Sequence, residues 1–149
     1  PKGDCISYKA SNKEKILDIG KWEILKEGEK TAILATGSMV NIAMKDYNLI
    51  CDKIGFKPTL VNARFIKPID VDMLNQLFQK KEKIITLEEG SEIGGFGSFV
   101  LNYANKSNYK GKIKIIGIED KFIEQGPRLD LLDSCGLSSS NIIKEILND

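Results

Sequence analysis

Four short apolar runs recur along the chain and predict β-strands. They cover residues 32–35, 59–62, 84–87 and 113–118. Three of the four are continuously apolar rather than alternating, which is typical of strands that helices cover on both faces. The pattern therefore predicts a buried sheet rather than a sheet with one face in water.

Between these runs, apolar residues recur at the spacing of a helix. The first predicted helix covers residues 40–54, with Ser38 as its N-cap and Gly55 as its stop. The remaining predicted helices are one entered from Pro68 and Asp70, one that begins in a glycine loop near Phe96, one from Pro127 to Gly136, and one capped by residues 138–140.

This alternation of strands and helices predicts an α/β fold with three layers and a mainly parallel sheet of about five strands. Residues 21–26 and the first strand flank the turn-like segment 27–30, which predicts a hairpin that adds one antiparallel strand. Residues 1–19 are polar, and we expect an inter-domain linker or arm there, with one domain over residues 20–149. The start at Pro1 without an initiator methionine is typical of a segment cut from a longer protein.

Composition excludes several classes of function. The chain has 149 residues and a formal net charge of +1, so no strong field favours nucleic acid or an anionic membrane. It contains no histidine, which excludes histidine general acid–base chemistry and histidine metal ligands within these residues. The cysteines Cys5, Cys51 and Cys135 lie far apart and include no CxxC pair, so we expect free thiols in a reducing cytosol.

The glycine-rich segment 88–98, EEGSEIGGFGS, is the first candidate for chemistry. Gly95 and Gly97 follow a predicted strand and open a predicted helix, as in a dinucleotide-binding loop. The third glycine of that pattern is replaced by Val100, and Glu88 and Glu89 would stand close to a bound anion. We favour a tight structural turn or partner-facing loop, with dinucleotide binding as the alternative.

Charged residues near the predicted strand ends are the second candidate. Adjacent residues of a strand point in opposite directions, so Glu88 and Glu89 do not converge as an acid–base pair. We expect one to be solvated or bonded to amides of the glycine loop, and the other to contact a neighbour. Arg64 is expected to form an ion pair with Glu88 or Glu89, with phosphate or carboxylate binding as the alternative. Residues 122–123 are expected to pin their loop to the core.

The ordered set of segments resembles the C-terminal domain of the transketolase family. The segments that carry the resemblance are GEKTAILATGSMV (28–40), RFIKPID (64–70), EEGSEIGGFGS (88–98) and DKFIEQG (120–126). Within the family, the likeness is strongest to the 1-deoxy-D-xylulose-5-phosphate synthases. A 2-oxoacid dehydrogenase β-subunit, a transketolase and a stand-alone nucleotide-binding domain remain the alternatives.

The resemblance implies a function for a longer parent enzyme. Such synthases condense pyruvate with glyceraldehyde 3-phosphate and release carbon dioxide, for isoprenoid, thiamine and pyridoxal biosynthesis. They use thiamine diphosphate and Mg²⁺, which are bound by domains other than the one resembled here. The implied partners are those domains and a homodimer partner, in the cytoplasm, with no nucleic acid and no membrane.

The resemblance also assigns residues. It implies no catalytic, cofactor-binding or metal-binding residue in these 149, and it implies that they are inactive alone. Lys2 stands where the family has an arginine that holds the phosphate of the aldehyde substrate, so the resemblance implies a phosphate-binding role for Lys2. Lysine holds phosphate as a point charge, without the two-pronged geometry of arginine.

Overall fold

A computed structural model describes residues 16–148 and contains a five-stranded sheet between two layers of helices. The order across the sheet is β1-β3-β2-β4-β5. The strands are β1 (Glu23–Lys26), β2 (Thr31–Ala35), β3 (Thr59–Asn62), β4 (Lys83–Ser91) and β5 (Lys112–Ile118). The helices are α1 (Met39–Lys45), α2 (Tyr47–Ile54), α3 (Val71–Lys80), α4 (Phe96–Lys106), α5 (Arg128–Ser134) and α6 (Ser139–Leu147).

Two hydrophobic cores lie on opposite faces of the sheet and confirm the three-layer prediction. Strand β2 is buried along its whole length and serves both cores, because its side chains alternate between the faces. Ile33 and Ala35 pack with α1, α2, α5 and α6 on one face. Ala32 and Leu34 pack with α3, α4 and Trp22 on the other. Four strands are parallel. The runs in β2, β3 and β4 are buried, as expected for strands covered on both faces, whereas the edge strand β5 is only partly buried.

The predicted hairpin between β1 and β2 is wrong. Strand β1 is antiparallel, as expected, but it pairs with β3, with Glu23 opposite Asn62. Both edges of β2 are already taken by β3 and β4, so only the outer edge of β3 remains for β1. The connection passes the start of β3, where a Cβ on Gly28 would lie 2.3 Å from the carbonyl oxygen of Lys57. Glycine is needed there for the close approach of two backbones.

Two helix boundaries agree with the prediction from the sequence, and one break within a predicted helix was not foreseen. The single helix predicted over residues 40–54 is divided at Asp46, where the backbone leaves helical geometry between α1 and α2. Gly55 ends α2 in the left-handed conformation, at φ 80°, as predicted. Asp70 caps α3 by accepting a 3.0 Å hydrogen bond from the backbone N–H of Met73.

The phase of α4 can be tested by a charge substitution. Val100 is fully buried, whereas its neighbour Leu101 is 40% exposed. We expect Val100→Asp to lower the free energy of unfolding by about 4 kcal/mol, because it buries a charge without a partner. Leu101→Asp, the matched control, should lower it by less than about 1 kcal/mol. Equal losses in urea denaturation would contradict this helix phase.

Candidate functional site at the carboxyl edge of the sheet

The carboxyl ends of β2, β3, β4 and β5 lie along one edge of the sheet, which we call the carboxyl edge. In open α/β sheets ligands bind at this edge. Strand β1 runs in the opposite direction, so the residues before it also arrive here. Two hydrogen bonds of Trp22 hold this segment at the edge. Its backbone N–H donates to the side chain of Asp70 and its indole Nε1–H donates to the carbonyl of Phe65, both at 2.8 Å.

Glu88 closes the glycine loop from within. Its side chain is buried, and its two carboxylate oxygens accept hydrogen bonds from the backbone N–H groups of Phe96 and Gly97, each at 2.8 Å. These are the first free N–H groups of α4, where a carboxylate also interacts favourably with the helix dipole. The prediction that one of the two glutamates would bond the loop amides is therefore confirmed.

This arrangement argues against a dinucleotide in the loop. A pyrophosphate would need the same N–H groups that the carboxylate of Glu88 occupies. The glycines also have structural reasons of their own. A Cβ on Gly95 would lie 2.5 Å from Glu88 Oε2, and one on Gly97 would lie 2.5 Å from Thr86 Oγ1. The loop is built to seat α4 against β4 and β5 rather than to receive a ligand.

Glu89 points to the other side of the strand, as predicted, and contacts neighbours there. Ser38 Oγ donates a hydrogen bond of 2.5 Å to Glu89 Oε2, and Arg128 forms a 2.5 Å ion pair with the same oxygen. Burial alone would raise the pKa of Glu89, but the hydrogen bonds from Ser38 and Arg128 outweigh it, so the pKa lies below its usual value. The contact ties the ends of β2 and β4 to the start of α5.

The Glu89 contact predicts a pH-dependent effect. A carboxyl with a lowered folded-state pKa stabilises the fold above its unfolded pKa, and this contribution is lost as the pH falls through the folded pKa. We expect Ser38→Ala to reduce the free energy of unfolding by less than about 1 kcal/mol at neutral pH, since the site is partly exposed. The reduction should be smaller near pH 2, measured by urea denaturation at both pH values.

A second serine provides the control for this experiment. The hydroxyl of Ser134 donates to the backbone carbonyl of Leu131, which does not titrate. Ser134→Ala should therefore have the same effect at both pH values. A pH-independent effect of Ser38→Ala would contradict the role assigned to its bond with Glu89.

The ion pair predicted between Arg64 and Glu88 or Glu89 is wrong. Arg64 pairs instead with Glu23 of β1, because β1 lies directly beside β3. The partner of Glu89 is Arg128, which sequence reasoning missed because it lies 39 residues away. The sequence did place Arg128 directly after Pro127, at the start of the helix that follows the last parallel strand. That position is the signal from which a contact at the carboxyl edge could have been predicted.

The loop after β5 does not pin itself to the core. Phe122 is fully exposed and Ile123 is 38% exposed, so the expectation for these residues is wrong. Other large apolar side chains are exposed along the same edge: Ile16, Ile19, Ile66, Ile93 and Leu129. We call these exposed side chains the carboxyl-edge apolar patch.

Among residues 16–148, no group of three or more Cys, Asp or Glu side chains is arranged to hold a metal ion. Within the same range, no helix has the length and apolar character needed to cross a membrane. Cys51 and Cys135 are half-buried free thiols that pack against one core. Lys2, the residue assigned to phosphate, lies outside the described residues.

Fold and site together define an α/β domain whose strand-end carboxylates serve its own structure. The family model described as "Transketolase, C-terminal domain" matches residues 20–142, and the chain belongs to this family. The sequence is similar to curated proteins named 1-deoxy-D-xylulose-5-phosphate synthase. It is 42% identical over 142 residues to that of Clostridium perfringens strain 13 and 40% identical over 145 residues to that of Thermotoga maritima.

These alignments cover 95% and 97% of this chain, but only 23% and 22% of the two relatives. The chain thus spans less than a quarter of their length. Among solved structures, a split-gene transketolase described as an inactive β4 tetramer is similar at a TM-score of 0.79 and 27% identity, over 87% of this chain and 42% of that one. A transketolase from Campylobacter jejuni is similar at a TM-score of 0.60 and 26% identity, over 87% of this chain and 19% of that one.

Proposed function

We propose that this chain is the C-terminal domain of a thiamine-diphosphate-dependent 1-deoxy-D-xylulose-5-phosphate synthase. The observation that carries the proposal is the similarity of nearly the whole chain, at 38–42% identity, to proteins with that name. The longer enzyme would condense pyruvate with glyceraldehyde 3-phosphate and release carbon dioxide. Its products would serve isoprenoid, thiamine and pyridoxal biosynthesis in the cytoplasm.

Within that enzyme the domain has a structural task. Its described residues do not fit thiamine diphosphate or Mg²⁺: Glu88 is bound to backbone amides and Glu89 to Ser38 and Arg128. In the part of the chain that the structure describes, no group of three or more Cys, Asp or Glu side chains is arranged to hold a metal ion. The cofactor and its metal are therefore assigned to other parts of the longer enzyme, and the 149 residues alone are expected to be inactive.

The carboxyl-edge apolar patch is the surface assigned to the other domains of the longer chain. Ile16 and Ile19 are largely exposed, and Trp22, a few residues further on, is bonded to Phe65 and Asp70 at this edge. Residues 1–19 are assigned as the linker, and residues 20–149 as the domain. A homodimer partner is part of the proposal, and the tetrameric state of the similar split-gene transketolase supports self-association.

Lys2 is assigned to the phosphate of glyceraldehyde 3-phosphate. In the longer enzyme, Lys2→Ala should raise the KM for glyceraldehyde 3-phosphate by about tenfold, because one charge-assisted contact is worth about 1.5 kcal/mol. The KM for pyruvate, which carries no phosphate, should stay unchanged. Lys9→Ala, a control in the same linker, should change neither constant. Equal increases in both constants would contradict a phosphate contact at Lys2.

The reaction itself is tested on the product of the longest reading frame that contains these residues. With thiamine diphosphate and Mg²⁺, we expect it to form 1-deoxy-D-xylulose 5-phosphate and carbon dioxide from pyruvate and glyceraldehyde 3-phosphate. Transfer of a two-carbon unit between sugar phosphates, without decarboxylation of pyruvate, would overturn the proposal in favour of a transketolase.

A further inference from the structure

A groove of about 980 Å³ crosses the opposite edge of the sheet, where the parallel strands begin. We call it the amino-edge groove. Its walls are the starts of β2, β4 and β5 and the C-terminal ends of α2, α3, α4 and α6. This volume lies within the range of small-molecule sites, roughly 300–1,000 Å³. The groove is separate from the carboxyl edge, and its interpretation does not depend on the proposed function.

Positive charge predominates in the lining of the amino-edge groove. Among residues 16–148, five lysines and one carboxylate, that of Glu82, line it: the lysines are Lys30, Lys81, Lys83, Lys110 and Lys112. Lys112 already has an interaction partner of its own. The formal net charge of the whole chain is only +1, so this concentration is local. Clefts lined by one sign of charge raise the local concentration of ligands of the opposite sign.

Two of these ammonium groups are held in place by neutral oxygens. Lys83 Nζ donates to the carbonyls of Ile146 at 3.0 Å and Asn148 at 2.5 Å. Lys81 Nζ donates to the carbonyl of Gly28 at 2.6 Å. These hydrogen bonds position the ammonium groups. The backbone carbonyls offset part of the positive charge, but a neutral carbonyl does not neutralise an ammonium group as a carboxylate would. Burial lowers the pKa of Lys81, and the nearby Glu27 and Glu29 offset this only in part.

Aromatic rings lie beside the charges. Phe78 and Tyr109 are stacked with their centroids 4.4 Å apart, and the hydroxyl of Tyr109 donates to the carbonyl of Lys81. Lys30 Nζ lies 5.2 Å from the ring centroid of Phe56. All three rings line the groove, with Phe78 and Tyr109 on the side of one core and Phe56 on the side of the other. Ligand sites combine apolar walls with a few placed polar groups in this way.

We propose that the amino-edge groove binds a small organic anion that carries two or more phosphate or carboxylate charges next to an apolar or planar part. Lys30, Lys81, Lys83 and Lys110 supply point charges for the anionic groups. The stacked rings of Phe78 and Tyr109 cover the apolar part. A ligand of this class contacts both the lysine ammonium groups and the aromatic rings. Neither set of contacts alone accounts for its affinity.

The proposal is tested with ADP as the probe and adenosine as its uncharged counterpart, at about 150 mM salt to screen surface charges. We expect ADP to shift the backbone amide signals of residues 78–83 and 107–112 in NMR spectra. Adenosine should cause no shift, and inorganic pyrophosphate should bind more weakly than ADP. The absence of ADP binding, or shifts confined to residues 94–97 of the glycine loop, would overturn the assignment.

Charge variants show whether the site is specific. Lys30 and Lys110 are exposed, and we expect the double variant Lys30→Gln/Lys110→Gln to weaken ADP binding by about tenfold, with two surface charges removed. The matched control, Lys67→Gln/Lys121→Gln, removes the same charge at the carboxyl edge and should leave the affinity within about twofold. Equal weakening by both variants would mean that ADP binding depends only on the net charge of the protein, and this result would overturn the proposal.

Discussion

Glu88→Ala is expected to lower the free energy of unfolding by about 3 kcal/mol, because hydrogen bonds to a charged group are each worth about 1.5–3 kcal/mol and the buried charge itself is costly. The side chain is 5% exposed, and its carboxylate is the acceptor for the N–H groups of Phe96 and Gly97. Alanine would leave both donors in a buried space with no partner. Urea denaturation followed by circular dichroism measures the loss.

Two variants separate this role from a general effect of removing an acid. Glu88→Gln retains one carbonyl oxygen as an acceptor and should show a smaller loss than Glu88→Ala. Glu89→Ala removes the adjacent, partly exposed carboxylate and should cost less than about 1 kcal/mol. Similar losses for Glu88→Ala and Glu89→Ala would contradict the assignment of Glu88 as the group that closes the loop.

Gly97→Val is expected to lower the free energy of unfolding by about 3 kcal/mol, at the upper end of the usual cost of overpacking. Gly97 is buried at the start of α4, and a Cβ there would lie 2.5 Å from Thr86 Oγ1 and 2.6 Å from Ile115 Cγ2. Those atoms belong to β4 and β5, so the helix would have to move away from the sheet. Thermal unfolding measures the change.

Asn102→Val is the control for Gly97→Val. Asn102 is exposed on the same helix, so valine there tests only the helix propensity of the residue, which is worth a few tenths of a kcal/mol. Unchanged stability of Gly97→Val would mean that α4 does not pack tightly on the sheet. It would also remove the structural explanation for the glycine-rich loop and make a ligand-binding explanation necessary.

The parallel strands could be predicted from the sequence because burial on both faces produces continuous apolar runs. Residues 59–62 coincide with β3, and the other three runs lie within β2, β4 and β5. The start of α3 at Asp70 and the end of α2 at Gly55 were also predictable, since cap residues act through their immediate neighbours. The opposite orientation of Glu88 and Glu89 followed from strand geometry alone.

Partners distant in the chain were not predictable. The order of strands decides that β1 lies beside β3, and the position of β1 in turn decides that Arg64 pairs with Glu23. The link between Glu89 and Arg128 likewise depends on where α5 begins. Short signals in the sequence carry no information on these tertiary neighbours.

Phe122 illustrates a different limit of sequence reasoning. A hydrophobic residue in a polar loop suggested burial against the core of its own domain, yet its side chain is fully exposed. The pattern of apolar residues does not distinguish a side chain that packs in the core of its own domain from one that stays on the surface.

The 149 residues are proposed to form a folded domain without reactive groups of its own. The purified 149-residue chain should unfold cooperatively on heating, which shows that it is folded. Incubated with pyruvate, glyceraldehyde 3-phosphate, thiamine diphosphate and Mg²⁺, it should release no carbon dioxide and form no 1-deoxy-D-xylulose 5-phosphate. Formation of that product by the 149 residues alone, above the rate without protein, would contradict the account.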